Sequence, residues 1–260
     1  MAFASLGSGS TGNATLIRAG ATLVLIDCGL GPRTLRRHFA RLGISAEQLS
    51  GVFITHAHSD HSSGAAALAR ASGAPIYATA GTCHRLGDTA QGWQHVRAGA
   101  PLSIGAMVLQ PTAVPHDCSE PVAYTVRAFN RKIGVLSDLG WPAPHVIEAF
   151  HGCHGLLLEA NYDPDLLQAG PYPAFLKRRV EGRLGHLSNE QSVALFEALR
   201  TDALEALVIG HISQKNNTPR HAAEAFGAVV HSHVDMRLAT AKEGTDWITL
   251  SVAENELIAS

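Results

Sequence analysis

One short run of polar residues constrains this chain more than any other feature. Residues 55–61, THAHSDH, follow an apolar segment, Gly51–Ile54, that is typical of a buried strand, and they precede Ser63–Ala71, which predicts a helix. Imidazole and carboxylate groups on such a turn can converge on one point, and together they suit zinc or another first-row divalent cation. The alternative is an ordinary polar loop, which the density of the pattern disfavours. The candidate ligands are His56, His58, Asp60 and His61.

Length and composition fit a protein with a sizeable core. The 260 residues are 46% hydrophobic and 16% charged, which allows a single domain over residues 1–260, with two small domains as the alternative. The net charge of −2 disfavours a generally basic nucleic-acid surface but permits a local basic groove. No apolar run has the length of a membrane span, and the first residues lack a secretory pattern. We therefore expect a cytoplasmic protein without membrane attachment.

The cysteines and most of the histidines suggest no second site. The cysteines form no C-x-x-C pair, which disfavours a zinc knuckle or a disulfide framework. We expect small, mostly buried thiols at Cys28, Cys83, Cys118 and Cys153. Of the 15 histidines, those in solvated helices or loops need no metal to explain them.

Strand-like and helix-like segments alternate along the chain, which predicts an α/β fold with helices packed outside sheets. The predicted strands are Phe3–Leu6, Ala14–Ile17, Thr22–Ile26, Val52–Thr55, Ile76–Ala78, Met107–Val114, Val122–Ala128, Ile133–Ser137, Gly155–Glu159, Ala206–Gly210, Arg237–Ala241 and Trp247–Val252. The predicted helices are Pro32–Leu42, Ser63–Ala71, Pro144–Phe150, Pro173–Arg179, Ser188–Arg200 and Pro219–Val230.

Three later residues complete a set of metal ligands. His116, Asp138 and His211 each come at the end of a predicted strand, where α/β sheets commonly build sites. Taken alone, each has an ordinary alternative, such as a loop histidine or an aspartate that caps a turn. A two-metal site needs more ligands than residues 55–61 supply, and it needs a bridging anion. The order of these residues along the chain makes them the expected remaining ligands.

This order of residues, preceded by Asp27 at an earlier strand end, resembles the metallo-β-lactamase superfamily. The resemblance implies an αβ/βα four-layer sandwich with two divalent cations, zinc or manganese, and a nucleophilic water or hydroxide between them. It implies that Asp138 bridges the cations and that Asp60 also orients the water. It further implies that one cation is held by His56, His58 and His116, and the other by Asp60, His61 and His211.

Several separate blocks resemble the YycJ/WalJ family in particular, which is linked to exonuclease activity on DNA. The blocks are Asn13–Ile17, Ile26–Leu30, Pro115–Val122, Leu158–Asp163, Gly185–Asn189 and His211–Pro219. The β-CASP nucleases carry a large extra domain after the fourth motif, and this chain has too little length there to contain one. The resemblance implies a DNA exonuclease.

Two further segments, around Glu159 and His186, are similar to the paired segments of ribonuclease Z-type phosphodiesterases. That resemblance implies a dyad in which Glu159 raises the pKa of His186, and His186 protonates the leaving oxygen. The alternative is that Glu159 only supports the metal ligands and His186 caps a helix.

Candidate substrate-binding residues lie next to this segment. Ser188 opens a predicted helix, whose first amides suit a phosphate, although N-capping alone also explains it. Lys177, Arg178 and Arg183, in a cluster that includes Arg179, could follow a nucleic-acid backbone or form a solvated helix face.

These features predict a dinuclear metal-dependent phosphodiesterase, most simply a DNA exonuclease in which a metal-bridging hydroxide is the nucleophile. The alternatives are a hydrolase of small esters, thioesters or lactones on the same fold, and a catalytically silent binding protein. The full set of seven ligands argues against the silent protein. The sequence leaves open the choice of metal, of DNA over RNA, and of a monomer or a homo-oligomer.

Overall fold

The computed structural model describes residues 1–87 and 92–251, and these form two seven-stranded sheets packed face to face. The strands are β1 (Ala2–Gly7), β2 (Ala14–Ala19), β3 (Thr22–Ile26), β4 (Gly51–Phe53), β5 (Ile76–Thr79), β6 (Gln94–Val96), β7 (Leu102–Ile104), β8 (Met107–Ala113), β9 (Val122–Ala128), β10 (Arg131–Leu136), β11 (Gly155–Glu159), β12 (Ala206–Gly210), β13 (Asp235–Leu238) and β14 (Ile248–Thr249).

The helices lie mostly in the connections between strands. They are α1 (Pro32–Arg41), α2 (Ser59–Ser62), α3 (Ala65–Ser72), α4 (Ala80–Leu86), α5 (Pro144–Phe150), α6 (Pro164–Ala169), α7 (Ala174–Glu181), α8 (Asn189–Leu199) and α9 (Pro219–Gly227), with a 3₁₀ turn at Ala46–Gln48. Among the described residues, no helix is long and apolar enough to span a membrane.

Strands β1 to β6 build one sheet, which β14 completes, and strands β7 to β13 build the other. The first has the order β14-β1-β2-β3-β4-β5-β6 and the second the order β13-β12-β11-β10-β9-β8-β7. Strands β3 to β6 run parallel, and so do β10 to β13. Parallel neighbours end at the same edge of their sheet. Residues that follow β3 and β4 therefore lie together at one edge of the first sheet, and residues that follow β10, β11 and β12 lie together at one edge of the second.

Three hydrophobic clusters define four layers. In β3, Leu25 faces the cluster beneath α1 and α3, and Val24 faces the cluster between the sheets. In β11, Leu157 lies between the sheets and Leu158 packs against α5, α8 and α9. Because alternate residues of a strand face opposite sides, both sheets are covered on both faces. The predicted αβ/βα four-layer sandwich is confirmed.

The predicted elements are present, with some shifted ends. The six predicted helices begin and end within one to three residues of the observed helices. The strand predicted at Val52–Thr55 is Gly51–Phe53, and the strand predicted at Arg237–Ala241 is Asp235–Leu238. The prediction at Trp247–Val252 corresponds to β14, and its last residue lies outside the described residues.

Sequence reasoning missed short elements with weak apolar patterns. Strands β6 and β7 have few buried residues and lie at sheet edges, so pairing with a neighbouring strand defines them more than their own hydrophobicity does. Helix α4 contains Gly81 and begins at a Thr79 cap. All four cysteines are free thiols; Cys118 is half-buried, and the other three are buried.

The interface between the sheets predicts where the fold is most sensitive. Phe53 stacks on Tyr77 with a centroid separation of 4.6 Å and meets Tyr124 edge-on at 5.7 Å. We expect Phe53→Ala to lower the free energy of unfolding by about 3–5 kcal/mol in urea titrations, because it leaves a cavity between the sheets. Phe129→Ala is the control. Phe129 is 49% exposed, so its loss should cost less than about 1 kcal/mol, and equal losses would contradict this account of the core.

Candidate metal centre

Three residues of the site end their strands in an unusual backbone conformation. Asp27 follows β3, Asp138 comes just after β10, and His211 follows β12. Their φ angles are 61°, 58° and 49°, in the left-handed region that residues other than glycine rarely adopt. Such a conformation costs on the order of 1–3 kcal/mol and is kept where surrounding contacts enforce it, often at functional sites. The backbone therefore turns sharply where each side chain enters the site.

Three histidines form the first ligand cluster. His58 Nδ1 lies 3.0 Å from His56 Nε2 and 3.3 Å from His116 Nε2. The other ring nitrogens have separate partners: His56 Nδ1 lies 2.9 Å from Thr55 Oγ1, and His116 Nδ1 lies 3.1 Å from the Gly185 carbonyl oxygen. A proton on each of these outer nitrogens leaves the inner ones free to bind a cation.

The second cluster consists of Asp60, His61 and His211, with Asp138 next to both clusters. Asp138 Oδ2 lies 3.0 Å from His61 Nε2 and 3.0 Å from His211 Nδ1, while Oδ1 lies 3.6 Å from His116 Nε2. All seven residues predicted as metal ligands therefore lie together.

A fixed partner orients His61. Its Nδ1 lies 2.7 Å from Asp27 Oδ2, and Asp27 Oδ1 accepts hydrogen bonds from the Thr55 amide at 2.8 Å and hydroxyl at 2.9 Å. The carboxylate fixes the tautomer of His61, so that Nε2 faces Asp138. Asp27 is therefore a support for a ligand in this structure rather than a ligand itself.

The charges of these buried groups shift one another's pKa values. Burial disfavours charge on His61, but Asp138 and Asp27 hold the pKa of this imidazole well above its usual range. Burial likewise disfavours charge on Asp138, yet the neighbouring His211 and His61 hold the pKa of its carboxyl well below its usual range. Asp138 is therefore a buried carboxylate in its charged form.

The donor set fits divalent cations. Asp138 Oδ2 and His211 Nδ1 are buried, and neither has a hydrogen-bond partner of good geometry among the described residues. Leaving such atoms unsatisfied costs about 1–3 kcal/mol each, and coordination to a cation would satisfy them. Imidazole nitrogens with two carboxylates are the ligands expected for zinc or a similar ion.

Glu159 and His186 form a second polar unit beside the clusters. Glu159 is fully buried and accepts hydrogen bonds from the amides of Asp138 at 2.9 Å, Leu139 at 3.0 Å and Leu187 at 3.0 Å. Its Oε2 lies 3.3 Å from His186 Nδ1. Burial alone would lower the pKa of His186, but the hydrogen bond and charge of Glu159 raise it to about 9.

The position of His186 also fits a role as a metal ligand. Its Nδ1 lies 3.8 Å from Asp138 Oδ1, and its ring is close enough to serve as a ligand beside Asp138 and His211. The contact with Glu159 engages Nδ1 and favours the dyad. His186 does not cap α8, since that cap is Ser188.

A cavity of about 210 Å³ opens above both ligand clusters and His186. Of the lysines and arginines among the described residues, Arg179 lines the cavity. The four substrate-binding residues predicted from the sequence do not line it. Ser188 is buried and caps α8, Lys177 donates to the Gln168 carbonyl, and the Arg183 guanidinium lies 4.2 Å above the Trp141 ring. Arg178 is exposed on α7. The binding role of these four residues stays a prediction.

Two residues near the predicted ligands, Asn13 and Asp117, have no role that the sequence predicts. The Asn13 side-chain nitrogen lies 3.4 Å from Asp60 Oδ2, and the Asn13 backbone amide donates to the Asp60 carbonyl oxygen at 2.7 Å. Asp117 pairs with Arg179 and lies 3.7 Å from His58 Nε2. Asp117 follows the predicted ligand His116 directly, and this position is the one signal that could have identified it.

The support of His61 predicts the effect of one substitution. In Asp27→Asn the side-chain oxygen would stay at the Oδ1 position, where it accepts hydrogen bonds from Thr55. The side-chain NH2 group would then face His61 Nδ1. The His61 proton must then move to Nε2, the atom that faces Asp138. We expect metal affinity to fall about 10- to 100-fold in competition with a fluorescent chelator. Asp163→Asn, at the start of α6, is the control, and unchanged affinity in Asp27→Asn would contradict the tautomer assignment.

Comparison with known proteins agrees with this architecture. A family model described as "Beta-lactamase superfamily domain" matches residues 22–212. The chain is 30% identical over 233 residues to exodeoxyribonuclease YycJ of Bacillus anthracis, covering 88% of each chain. It is 29% identical over 222 residues to exodeoxyribonuclease WalJ of Streptococcus pneumoniae, covering 83% of this chain and 82% of the relative.

A solved structure extends the likeness of fold to nearly the whole chain. The metallo-β-lactamase fold protein YhfI of Bacillus subtilis superposes with a TM-score of 0.71 at 16% identity, over 95% of this chain and 100% of that one. The fold, the arrangement of the site and the sequence relatives all indicate the same family. The chain therefore belongs to the metallo-β-lactamase superfamily of metal-dependent hydrolases, within its YycJ/WalJ branch.

Proposed function

We propose that this protein is a dinuclear metal-dependent phosphodiesterase that acts on nucleic acid, as a DNA exonuclease. The observation that carries the proposal is that His186, held by Glu159, lines the same cavity as ligands from both clusters. A proton donor at that place serves a reaction that expels an alkoxide. The relatives named exodeoxyribonuclease support a polynucleotide substrate.

In this proposal each cluster holds one cation. His56, His58 and His116 would bind the first and Asp60, His61 and His211 the second, with Asp138 between them. Divalent cations in such a centre supply a Lewis acid for the phosphoryl oxygens and lower the pKa of bound water. The choice between zinc and manganese belongs to experiment.

The side chains of the protein would move the protons. Asp60 is partly exposed, so its carboxylate can orient the attacking water and accept its proton. Glu159 accepts from His186 Nδ1 and leaves Nε2 to protonate the departing oxygen of the sugar. Three backbone amides fix Glu159, so the imidazole keeps its orientation during the reaction.

The first test is substrate class. Purified protein with Mn²⁺ or Zn²⁺ is offered end-labelled DNA, end-labelled RNA, bis(p-nitrophenyl) phosphate and a panel of thioesters. We expect phosphodiester hydrolysis with release of mononucleotides from DNA ends. His58→Ala should abolish it, because the substitution removes a ligand. Elemental analysis should give two equivalents of metal in the wild-type protein and fewer in this variant.

The control for that variant is His84→Ala, which changes an exposed histidine on α4. It should keep both metal content and activity. Thioester hydrolysis without phosphodiester hydrolysis would overturn the proposed function, and full activity of His58→Ala would overturn the assignment of ligands.

The second test concerns the proton donor. We expect His186→Ala to slow DNA hydrolysis about 10²- to 10⁴-fold, because the alkoxide leaving group needs a proton. Hydrolysis of bis(p-nitrophenyl) phosphate should fall much less, since nitrophenolate leaves without one. Steady-state rates on both substrates measure the difference.

Metal content of His186→Ala separates the dyad from a ligand role. A general acid can be lost without loss of metal, so the two equivalents should remain. Equal losses on both substrates together with reduced metal content would mean that His186 is a ligand, and full DNA turnover would exclude both roles.

A further inference from the structure

One face of α7 is turned toward the cavity beside the metal ligands. Leu176 and Arg179, about one helical turn apart on α7, line the cavity, and Tyr172 lines it from just before the helix. Phe175 lies four residues before Arg179, so the two side chains share one side of α7, and Phe175 is exposed there rather than among the residues that line the cavity. These four residues are called the α7 face below.

Arg179 is the one lysine or arginine among the described residues that line the cavity. Its Nε donates to Asp117 Oδ2, and no other hydrogen-bond partner of its guanidinium is recorded within residues 1–87 and 92–251. The Asp117 carboxylate lies 3.5 Å from His116 Nε2. A salt bridge anchored beside a metal ligand therefore holds a guanidinium, with free N–H donors, at the edge of the site. Such a group suits a phosphate.

The aromatic members of the face are exposed on one side and supported on the other. Tyr172 is half-buried and packs against Tyr162, Leu167 and Val180. Phe175 is 67% exposed, the highest value among the large hydrophobic side chains that are exposed in the described residues. A phenyl ring with this exposure, one helical turn from Arg179, can serve as a platform for a flat ligand.

We propose that the α7 face binds the nucleotide next to the scissile phosphate of a single-stranded polynucleotide, a conclusion that rests on the proposed function. Arg179 pairs with the neighbouring phosphate, while Phe175 and Tyr172 stack against the base. Bases in a duplex stack on each other, so only an unpaired end offers a free face to these rings. The structure thus assigns recognition of a single-stranded end to a helix that carries none of the metal ligands.

Charge complementarity favours this occupant over an apolar protein partner. Two further exposed guanidinium groups belong to this part of the chain: Arg178 on the same helix, outside the cavity, and Arg183 just beyond it, stacked on Trp141. Each phosphate contact made by such a group releases counterions, which makes binding depend on salt. A docking site for an apolar peptide would gain nothing from this cluster of cations.

The experiment measures binding separately from hydrolysis. Binding of a dye-labelled oligothymidylate with a hydrolysis-resistant phosphorothioate backbone is followed by fluorescence anisotropy. We expect Phe175→Ala to bind about tenfold more weakly than the wild type, because it loses one stacking contact. Arg179→Ala should reduce the slope of log K against log salt by about 0.7, the contribution of one phosphate on a single strand.

The matched controls lie away from the cavity. Phe129→Ala removes an exposed ring at the opposite end of β10, and Arg220→Ala removes an exposed guanidinium on α9. Both should bind like the wild type. A blunt duplex of the same length should show no effect of Phe175→Ala.

Each outcome bears on one proposal. Unchanged oligothymidylate binding in Phe175→Ala, or an equal loss on the duplex, overturns the role of the α7 face, even when the wild type hydrolyses bis(p-nitrophenyl) phosphate. Binding that depends on Phe175 and Arg179, in a protein that hydrolyses no phosphodiester, supports the face and overturns the proposed function. A wild-type protein that binds no oligothymidylate overturns the role of the face as well.

Discussion

The contacts of Asp138 with His61 and His211 join the two halves of the molecule. His61 comes from the short helix α2 after β4 of the first sheet, His211 from the end of β12 in the second, and Asp138 from the end of β10. The three side chains are almost completely buried, and each imidazole has a nitrogen 3.0 Å from Asp138 Oδ2. A buried cluster of titratable groups is stable only when each charge is balanced nearby, so the surrounding residues must hold it tightly.

The backbone around the ligand loop shows how tightly it is held. The Cys28 amide donates to the His61 carbonyl oxygen, and the Gly64 amide donates to the Cys28 carbonyl oxygen. At Gly29 a Cβ atom would lie 1.7 Å from the Asp60 carbonyl oxygen, so only glycine allows the two segments to meet. The loop therefore docks on the end of β3 through main-chain contacts, and the carboxylate of Asp60 is placed by backbone geometry.

The sequence could predict the ligands because their chemistry and order along the chain carry the information. Histidine and aspartate residues at the ends of apolar runs need only parallel strands to converge, and apolar runs are visible in a sequence. The sequence does not show in the same way which face of α7 meets the cavity. Residues 174–181, AFLKRRVE, contain three adjacent basic residues, and the burial of Val180 turns Arg179 toward the site and leaves Arg178 outside.

The missed elements have a related cause. Edge strands β6 and β7 owe their conformation to hydrogen bonds with β5 and β8, which are contacts that local hydrophobicity does not encode. Ser188 shows the same limit at a single residue. Its capping role and a phosphate-binding role have the same sequence pattern; the structure shows the cap, and the binding role stays a prediction.

Under the proposed function, the charge of the cavity favours a phosphodiester over a neutral ester or thioester. Asp117 is paired with Arg179, and Glu159 is paired with His186, so these two carboxylates are balanced by their own partners. Asp60 and Asp138 remain, and their combined charge is smaller than that of two divalent cations. With two cations bound as proposed, the centre would keep an excess of positive charge, which would stabilise an anion. A phosphodiester brings negative charge into the cavity from the start, whereas a carbonyl substrate acquires it only during the reaction.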